Sequence, residues 1–191
     1  MLRAQLRAAL LMVVVLTVVC GGAYPLLVTG VGQAFFGHQA NGSRVELDGR
    51  LAGSDLLGRR FDGAGYFALR PSAAGDGYDA EASSASNLGP SSPKLVHQVE
   101  RRASEYRERE GLPAGAPVPA DAVTASGSGL DPGISVRNAR LQAPRVARVR
   151  GLPLAEVERL IAEHTEGQEL GFLGEPYVNA TLLNLDLAGD R

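Results

Sequence analysis

From Ala8 to Val31 the chain carries no charged residue, and this run constrains the fold more than any other part of the sequence. A helix of about two dozen residues rises about 36 Å, which exceeds the thickness of a hydrocarbon core of about 30 Å. The run therefore predicts a membrane-spanning helix over about residues 8–31, within an N-terminal anchor formed by residues 1–36. Residues 37–191 are predicted to form a single folded domain outside the hydrocarbon layer.

Basic residues stand close to only one end of this apolar run. Arg3 and Arg7 precede it, whereas the next arginine or lysine is Arg44. Because arginine and lysine are retained on the cytoplasmic side of a membrane, the N-terminus is predicted to be cytoplasmic and the C-terminal domain extracytoplasmic. Gly21 and Gly22 inside the run would also let a neighbouring membrane helix approach closely.

Two other interpretations of the N-terminus stay open. A cleaved secretory signal would use the same basic and apolar stretches and end near residues 21–23. Apolar residues resume after Pro25, which favours a retained anchor. A lipoprotein signal would instead be cleaved before Cys20, but Val19 is larger than the residue that such sites usually carry there.

Composition narrows the classes of function. The formal charge is only −2, which argues against a nucleic-acid partner because proteins that bind nucleic acids concentrate positive charge. Cys20 is the single cysteine, so disulfides within the chain and cysteine-based zinc sites are excluded. The 24 glycines and 11 prolines predict that much of the chain forms turns and loops.

Two stretches have the periodicity of amphipathic helices. The first is predicted to begin at Pro93, after the capping residue Ser92, and to end at Gly111. The second covers residues 154–164. Its apolar stripe is predicted to consist of Leu154, Val157, Leu160 and Ile161.

The rest of the domain is predicted to contain one interrupted helix and several short strands. A helical region is expected to start after Ser135 and to break at Pro144. Apolar residues within 45–57 suggest short strands separated by glycine turns, and the alternating leucines of residues 178–187 predict another strand. Residues 65–93 show no helical period and are predicted to form a long loop. Because these elements follow no βαβ order, the predicted fold class is α+β.

The stretch TASGSGLDPGIS, residues 124–135, is rich in glycine and hydroxyl groups, which raises the question of chemistry. A phosphate-binding loop would require a lysine and a preceding buried strand, and the sequence has neither here. A nucleophile elbow would require glycine two residues before Ser128, where Ser126 stands. The favoured interpretation is a tight turn built on the glycines and on Asp131-Pro132.

Two further pairs of residues have a spacing that suggests chemistry. Ser91 and Lys94 have the SxxK spacing of penicillin-recognising enzymes, although the KTG and SDN motifs are missing. A free-standing, membrane-anchored serine hydrolase or acyltransferase using this pair is the alternative function. His164 and Glu166 could ligate a metal, but a histidine near a helix C-terminus is the more frequent arrangement. The residues alone therefore predict an anchored binding or accessory domain without a catalytic residue, metal or bound cofactor.

Five strings, taken in their order and spacing, resemble one known family. They are YFALRPSA (66–73), SNLGPSSPKL (86–95), VTASGSGLDPGIS (123–135), RVARVRGL (145–152) and HTEGQELGFLGEPYVNATLLNLDL (164–187). The family is the C subunit of the Kdp potassium-transporting ATPases, and the resemblance covers nearly the whole chain. The family usually has glycine at the position of Leu69, and this departure predicts altered local packing.

The resemblance implies a non-catalytic accessory subunit of a bacterial inner-membrane complex that hydrolyses ATP to import potassium. Its partners would be a channel-like potassium-binding subunit, a P-type catalytic subunit and a small single-span subunit. The family's C subunit is required for assembly, and it has been proposed to act as a catalytic chaperone that raises the ATP affinity of the P-type subunit. ATP is expected to involve this chain only through that subunit, because an extracytoplasmic domain lies on the side without ATP.

The matched strings also supply candidate residues for subunit contact or family signature. They are Tyr66, Arg70, Pro71, Asn87, Gly89, Pro90, Ser126, Ser128, Asp131, Pro132, His164 and Glu166. For residues 124–135 we predict a role in folding or in subunit contact, because their turn-forming chemistry favours a fixed backbone over a reactive one.

Overall fold

The computed structural model describes residues 2–47 and 49–189, which divide into two compact units, one up to Arg44 and one from Val45 onward. The first unit is dominated by the helical run Leu2–Phe35. Its most apolar window has a mean hydropathy of 2.3 and contains no buried residue. In length and composition this run suits a membrane span, as the sequence predicts.

The N-terminal helix changes its pitch near the middle. Helix α1 (Leu2–Val18) passes into a π-helical turn (Val19–Ala23) and then into α2 (Tyr24–Phe35). Pro25 is the second residue of α2. Because a proline lacks an N–H group and its ring crowds the carbonyl four residues earlier, a widened turn at this point relieves both effects. A short helix, α3 (Gly37–Ala40), and a turn then complete the unit.

The second unit mixes helices with short strands, which confirms the predicted α+β class. Its helices are α4 (Pro93–Glu110), α5 (Ala120–Val123), α6 (Val136–Arg150), α7 (Leu154–Glu163) and α8 (Ala180–Ala188). The strands are β1 (Arg44–Leu47), β2 (Arg50–Ser54), β3 (Gly133–Ser135), β4 (Thr165–Glu166) and β5 (Tyr177–Asn179). Strands β1 and β2 form a two-stranded sheet, and β3, β5 and β4 form an antiparallel sheet in that order.

The apolar core lies where α6, α7 and α8 pack against the three-stranded sheet. Its most buried large side chains include Phe67, Ile134, Val146, Val157 and Leu183. Phe67 belongs to the long loop, so this segment contributes to the core. The prediction of an irregular loop is confirmed, but the loop is packed into the domain.

The bounds of α4 and α7 agree with the sequence predictions. Helix α4 begins at Pro93, and Gly111 ends it in the left-handed conformation with φ of 69°. The predicted cap is wrong, because the Ser92 side chain makes no capping hydrogen bond. Tyr106 is the buried residue of α4. In α7 only part of the predicted stripe is buried, because Leu154 is the first helical residue and is 43% exposed. The buried residues of α7 are Val157, Leu160 and Ile161.

The predicted break at Pro144 is wrong, because α6 continues through this residue. Pro144 lies on the exposed side of the helix, as does Arg140, whose carbonyl loses its usual partner. Water can bond a carbonyl on that side, which lowers the cost of the proline. On the opposite side Ala143 and Val146 are buried in the core and hold the helix by packing.

The strand predicted over residues 178–187 is also wrong for most of its length. Only Tyr177–Asn179 forms a strand, and the side chain of Asn179 then accepts a 3.1 Å hydrogen bond from the Leu182 amide and caps α8. The leucines alternate because α8 is buried on nearly all sides, so a spacing of two does not indicate a strand. A strand suggested near Leu56 is replaced by a turn after β2.

Candidate functional site

The signature loop, residues 124–135, is a succession of turns held by side chains. The hydroxyl of Ser126 accepts a 2.9 Å hydrogen bond from the amide three residues ahead, and that of Ser128 accepts one of 3.0 Å from the amide two residues ahead. The carboxylate of Asp131 accepts a 2.9 Å bond from the amide two residues ahead. Because these side chains are used to fix the backbone, the loop is a structural turn, as its composition predicts.

Gly129 brings the signature loop against the long loop. Its φ is +72°, and a Cβ at this position would lie 2.7 Å from both the Ala74 nitrogen and the Ser84 carbonyl oxygen. The Ser72 hydroxyl donates a 2.7 Å bond to the Gly129 carbonyl, and the Ser84 amide donates one of 3.0 Å to the Ser128 carbonyl. Only glycine fits this close backbone approach.

An ion pair ties the same two loops together. An Nη1 atom of Arg70 lies 2.9 Å from Oδ2 of Asp131, and the other terminal nitrogen donates a 3.4 Å bond to the Ala125 carbonyl. The hydroxyl of Tyr78 donates to the Arg70 carbonyl. Burial and then the charge of Asp131 raise the pKa of Tyr78 well above its ordinary value, while Arg70 opposes the shift. Tyr78 therefore remains a neutral donor.

An acidic groove with a volume of about 560 Å³ opens beside this ion pair. The charged side chains in its wall are Asp55, Arg70, Asp121, Asp131, Glu166 and Glu175, and Pro132 lies among them. The two oxygens of Asp121 accept bonds of 2.8 Å and 3.0 Å from the amide and hydroxyl of Ser135. Within residues 2–47 and 49–189, no group of histidine, cysteine and acidic side chains has an arrangement that could hold a metal.

His164 and Glu166, the candidate metal pair, bind different partners. His164 Nε2 lies 2.9 Å from Oδ2 of Asp186, whereas the Tyr177 hydroxyl donates a 2.6 Å bond to Glu166. Burial and then this bond to Glu166 raise the pKa of Tyr177 to about 12. The two residues therefore stabilise neighbouring parts of the domain and do not form one ligand set.

The other predicted residues lie apart from the groove. The Arg150 guanidinium lies 4.6 Å from the ring centroid of Tyr66, a cation–π contact. Pro71 lines a separate cavity of about 210 Å³ together with Leu69. The exposed residues that precede α4 are Asn87, Gly89, Pro90 and Ser91, and Lys94 is exposed in its first turn. The structure thus brings Arg70, Asp131, Pro132 and Glu166 together in the wall of the acidic groove. The other candidate residues lie outside this wall.

A set of buried polar side chains that the sequence pattern did not predict holds the strap, which we define as residues 64–68. The side-chain amide of Asn184 bonds both backbone groups of Phe67, each at 2.8 Å. Gln142 bonds both backbone groups of Ala68, at 2.7 Å and 3.0 Å. Two side-chain amides thus satisfy buried backbone groups in a segment that belongs to neither sheet.

Arg145 adds a third attachment to the strap. It donates a 3.0 Å bond to the Tyr66 carbonyl and forms a 2.9 Å ion pair with Glu110, whose side chain is fully buried. Polar residues within the buried face of α6 were the available signal, since Asn138, Gln142 and Arg145 recur at spacings of four and three. A buried polar side chain requires a partner, but the sequence does not say which one.

Comparisons with known proteins match the chain from the apolar helix to α8. The family model described as KdpC, K+-transporting ATPase, c chain, matches residues 6–189. Similar curated proteins share the name Potassium-transporting ATPase KdpC subunit. The one from Mycobacterium tuberculosis (strain ATCC 25618 / H37Rv) is 58% identical over 186 residues, covering 97% of this chain and 98% of the relative.

Two relatives from other bacteria extend the match. The Sorangium cellulosum protein is 55% identical over 190 residues, covering 98% of this chain and 99% of the relative. The protein from Nitratidesulfovibrio vulgaris is 53% identical over 189 residues, covering 97% and 95% respectively. The resemblance predicted from the sequence strings is thereby confirmed, and the chain belongs to the KdpC family of K+-transporting ATPase c chains.

Proposed function

We propose that this chain is a non-catalytic accessory subunit of an ATP-driven, high-affinity potassium importer in a bacterial inner membrane, needed for assembly and stability of the complex. The observation that carries the proposal is the match of potassium-transporting ATPase subunits over nearly the whole chain. Its partners would be the channel-like potassium-binding subunit, the P-type catalytic subunit and the small single-span subunit.

The proposed orientation places the folded domain on the extracytoplasmic side. Arg3 and Arg7 precede the apolar helix, and the next arginine or lysine is Arg44, which supports a cytoplasmic N-terminus. From that side the domain does not reach ATP. We therefore propose that any effect on the ATP affinity of the catalytic subunit passes through the membrane-embedded parts of the complex.

The way in which polar side chains are used supports an accessory role. The hydroxyls of Ser126 and Ser128 accept local backbone bonds, and Arg70 pairs with Asp131. These groups stabilise the loops that shape the groove. A catalytic serine would instead need a base within hydrogen-bond reach and a free site for substrate.

The proposal is tested by expressing the complex with and without this chain and with an affinity tag on the P-type subunit. With the chain, we expect all subunits to co-purify, ATP hydrolysis to depend on potassium, and the KM for ATP to be lower than in any residual complex without it. An intact, fully active complex that lacks the chain would contradict an accessory role in assembly.

The hydrolase alternative is tested in the same membranes. We expect the Ser91→Ala/Lys94→Met variant to restore assembly and potassium-dependent ATP hydrolysis to the wild-type level. Covalent labelling of the wild-type chain by a fluorophosphonate, lost in Ser91→Ala, would favour the hydrolase.

A further inference from the structure

An exposed apolar turn projects between β4 and β5. We name residues Gln168–Gly174 the apolar knob. In the knob, the residues Leu170, Phe172 and Leu173 are 82%, 70% and 48% exposed. Leu170 is the most exposed large apolar residue in the described part of the chain. Single exposed apolar side chains are ordinary, but several on one tight turn are typical of a binding surface.

The knob has a defined backbone. Glu169 and Leu173 exchange amide-to-carbonyl hydrogen bonds of 3.0 Å and 2.9 Å, which close the turn. The side chain of Gln168 donates a 2.7 Å bond to the Gly174 carbonyl across its base. The apolar side chains are therefore presented by a closed turn, so that little conformational freedom would be lost when a partner binds.

Leu170 stands in a conformation that its residue type disfavours. Its φ is +53°, in the left-handed region, where a residue other than glycine, asparagine or aspartate is uncommon. The neighbouring Gly171 also has a positive φ, of 78°. Unfavourable backbone conformations concentrate at functional sites, where the surrounding structure enforces them. Here the enforced conformation leaves an apolar side chain in water.

The base of the knob is continuous with the domain core. Thr165 pairs with Val178, which is fully buried, and Glu166 pairs with Tyr177 in the same ladder. The hydrogen bond from the Tyr177 hydroxyl to the Glu166 carboxylate reinforces this base. The knob is therefore attached directly to the three-stranded sheet.

The charges around the knob identify the chemistry of the occupant. Glu169 lies within the knob, and Glu166 and Glu175 lie on either side of it. In the groove wall that Glu166 and Glu175 share, three aspartates outnumber the single arginine, Arg70. An anionic lipid surface would repel this acidic surround. A second copy of the knob would be repelled for the same reason. A protein surface with an apolar pocket and basic residues around it is complementary to both features.

We propose that the apolar knob inserts into an apolar socket, ringed by arginine or lysine, on another subunit of the transporter. The inference rests on the proposed function, since it needs a multisubunit complex. Glu166 and Glu175 also line the acidic groove, so the same basic ring covers the edge of that groove. The knob is then the docking contact of the folded domain, acting in addition to the membrane helix.

The test uses the whole complex, purified through a tag on the P-type subunit. In the variant Leu170→Ser/Phe172→Ser, we expect the amount of this chain retained after washing to fall at least about tenfold, as for the loss of central interface residues. The matched control Leu51→Ser/Val96→Ser removes exposed apolar side chains elsewhere, at positions 64% and 47% exposed. We expect the control to be retained like the wild type.

A crosslinking measurement identifies the occupant directly. A benzophenone amino acid placed at Phe172 should, on illumination of membranes, crosslink this chain to another subunit. Retention of the knob variant at the wild-type level, or crosslinks only to lipid or to a second copy of this chain, would overturn the inference. Failure of the wild-type chain to co-purify at all would instead contradict the proposed function. Thermal unfolding of the variant at the wild-type temperature separates lost docking from misfolding.

Discussion

The side-chain amide of Asn184 bonds both backbone groups of Phe67, with its oxygen 2.8 Å from the Phe67 nitrogen and its nitrogen 2.8 Å from the Phe67 oxygen. Both residues are buried, at 0% and 1% exposure. The contact joins α8, near the end of the chain, to the strap, more than a hundred residues earlier. The irregular part of the domain is therefore fixed by specific side chains.

Replacing Asn184 by leucine should destabilise the domain by about 2–4 kcal/mol, because two buried backbone groups of Phe67 lose their partners. For a chain of this size the expected fall in the thermal midpoint is on the order of 4–16 °C. Circular dichroism of the full chain in detergent measures it. Asp76→Ala, which removes an exposed loop side chain, should leave the midpoint unchanged. Equal midpoints for both variants would show that the amide contact contributes little.

Removal of the Glu110 side chain should lower the free energy of unfolding by more than its position near a helix end suggests. Its carboxylate is fully buried and pairs with Arg145, which is itself 6% exposed at the side chain. Glu110→Ala leaves a buried guanidinium with carbonyl partners but no counter-charge, and we expect a loss of about 3 kcal/mol or more.

A double-mutant cycle tests the coupling of this pair. Glu110→Ala combined with Arg145→Met should destabilise the chain by less than the sum of the two single changes, with a coupling of about 1–3 kcal/mol. Strict additivity of the two changes in unfolding free energy would mean that the pair is energetically independent.

Two glycines of the signature loop should respond differently to the same change. Gly129→Ala would introduce a Cβ 2.7 Å from two backbone atoms at a positive φ, and we expect a loss of about 2–3 kcal/mol. Gly127 has no atom within 4 Å of such a Cβ, so Gly127→Ala should change stability by less than about 0.5 kcal/mol. Similar thermal midpoints for the two variants would contradict the packing described for Gly129.

Tyr177 should ionise near pH 12, well above an ordinary tyrosine near 10. Burial and then the hydrogen bond to Glu166 favour the neutral phenol in the folded state. Because the pKa of Tyr177 is higher in the folded chain than in the unfolded chain, this stabilisation is fully present below about pH 10. It is lost as the pH rises through about 12.

The chain lacks tryptophan, so tyrosinate absorbance reports this titration clearly. Subtracting the titration curve of Tyr177→Phe from that of the wild type isolates the step due to Tyr177. The Glu166→Gln variant should shift the step to lower pH by removing the negative charge. A wild-type step already centred near pH 10 would show that Tyr177 is not held by its surroundings.

The sequence was most informative where one physical signal dominated. Local chemistry predicts the long apolar helix, the start of α4 at Pro93 and the end of α4 at Gly111. The structure confirms these three features. The tight turn at residues 124–135 also follows from local hydrogen bonds of serine and aspartate side chains.

Tertiary packing explains what the sequence did not predict. Pro144 remains inside α6 because the buried face holds this helix in place by packing. The leucines of α8 show no helical period because this helix is buried on nearly all sides, so their spacing did not reveal the helix. The amide contacts to the strap join residues far apart in the chain, and no local pattern specifies such pairs. The groove likewise appears only when β3, β5 and the long loop meet.

The measurement that most directly tests the account is the side of the membrane on which the folded domain lies. In a Cys20→Ala background, a cysteine is introduced by Ala114→Cys, at an exposed position between α4 and α5, or by Gln5→Cys near the N-terminus. Intact spheroplasts are then treated with a membrane-impermeant maleimide. The proposed orientation predicts labelling in Ala114→Cys and protection in Gln5→Cys until the membrane is permeabilised. Labelling of Gln5→Cys with protection of Ala114→Cys would contradict the proposed orientation and would allow direct contact of the domain with ATP.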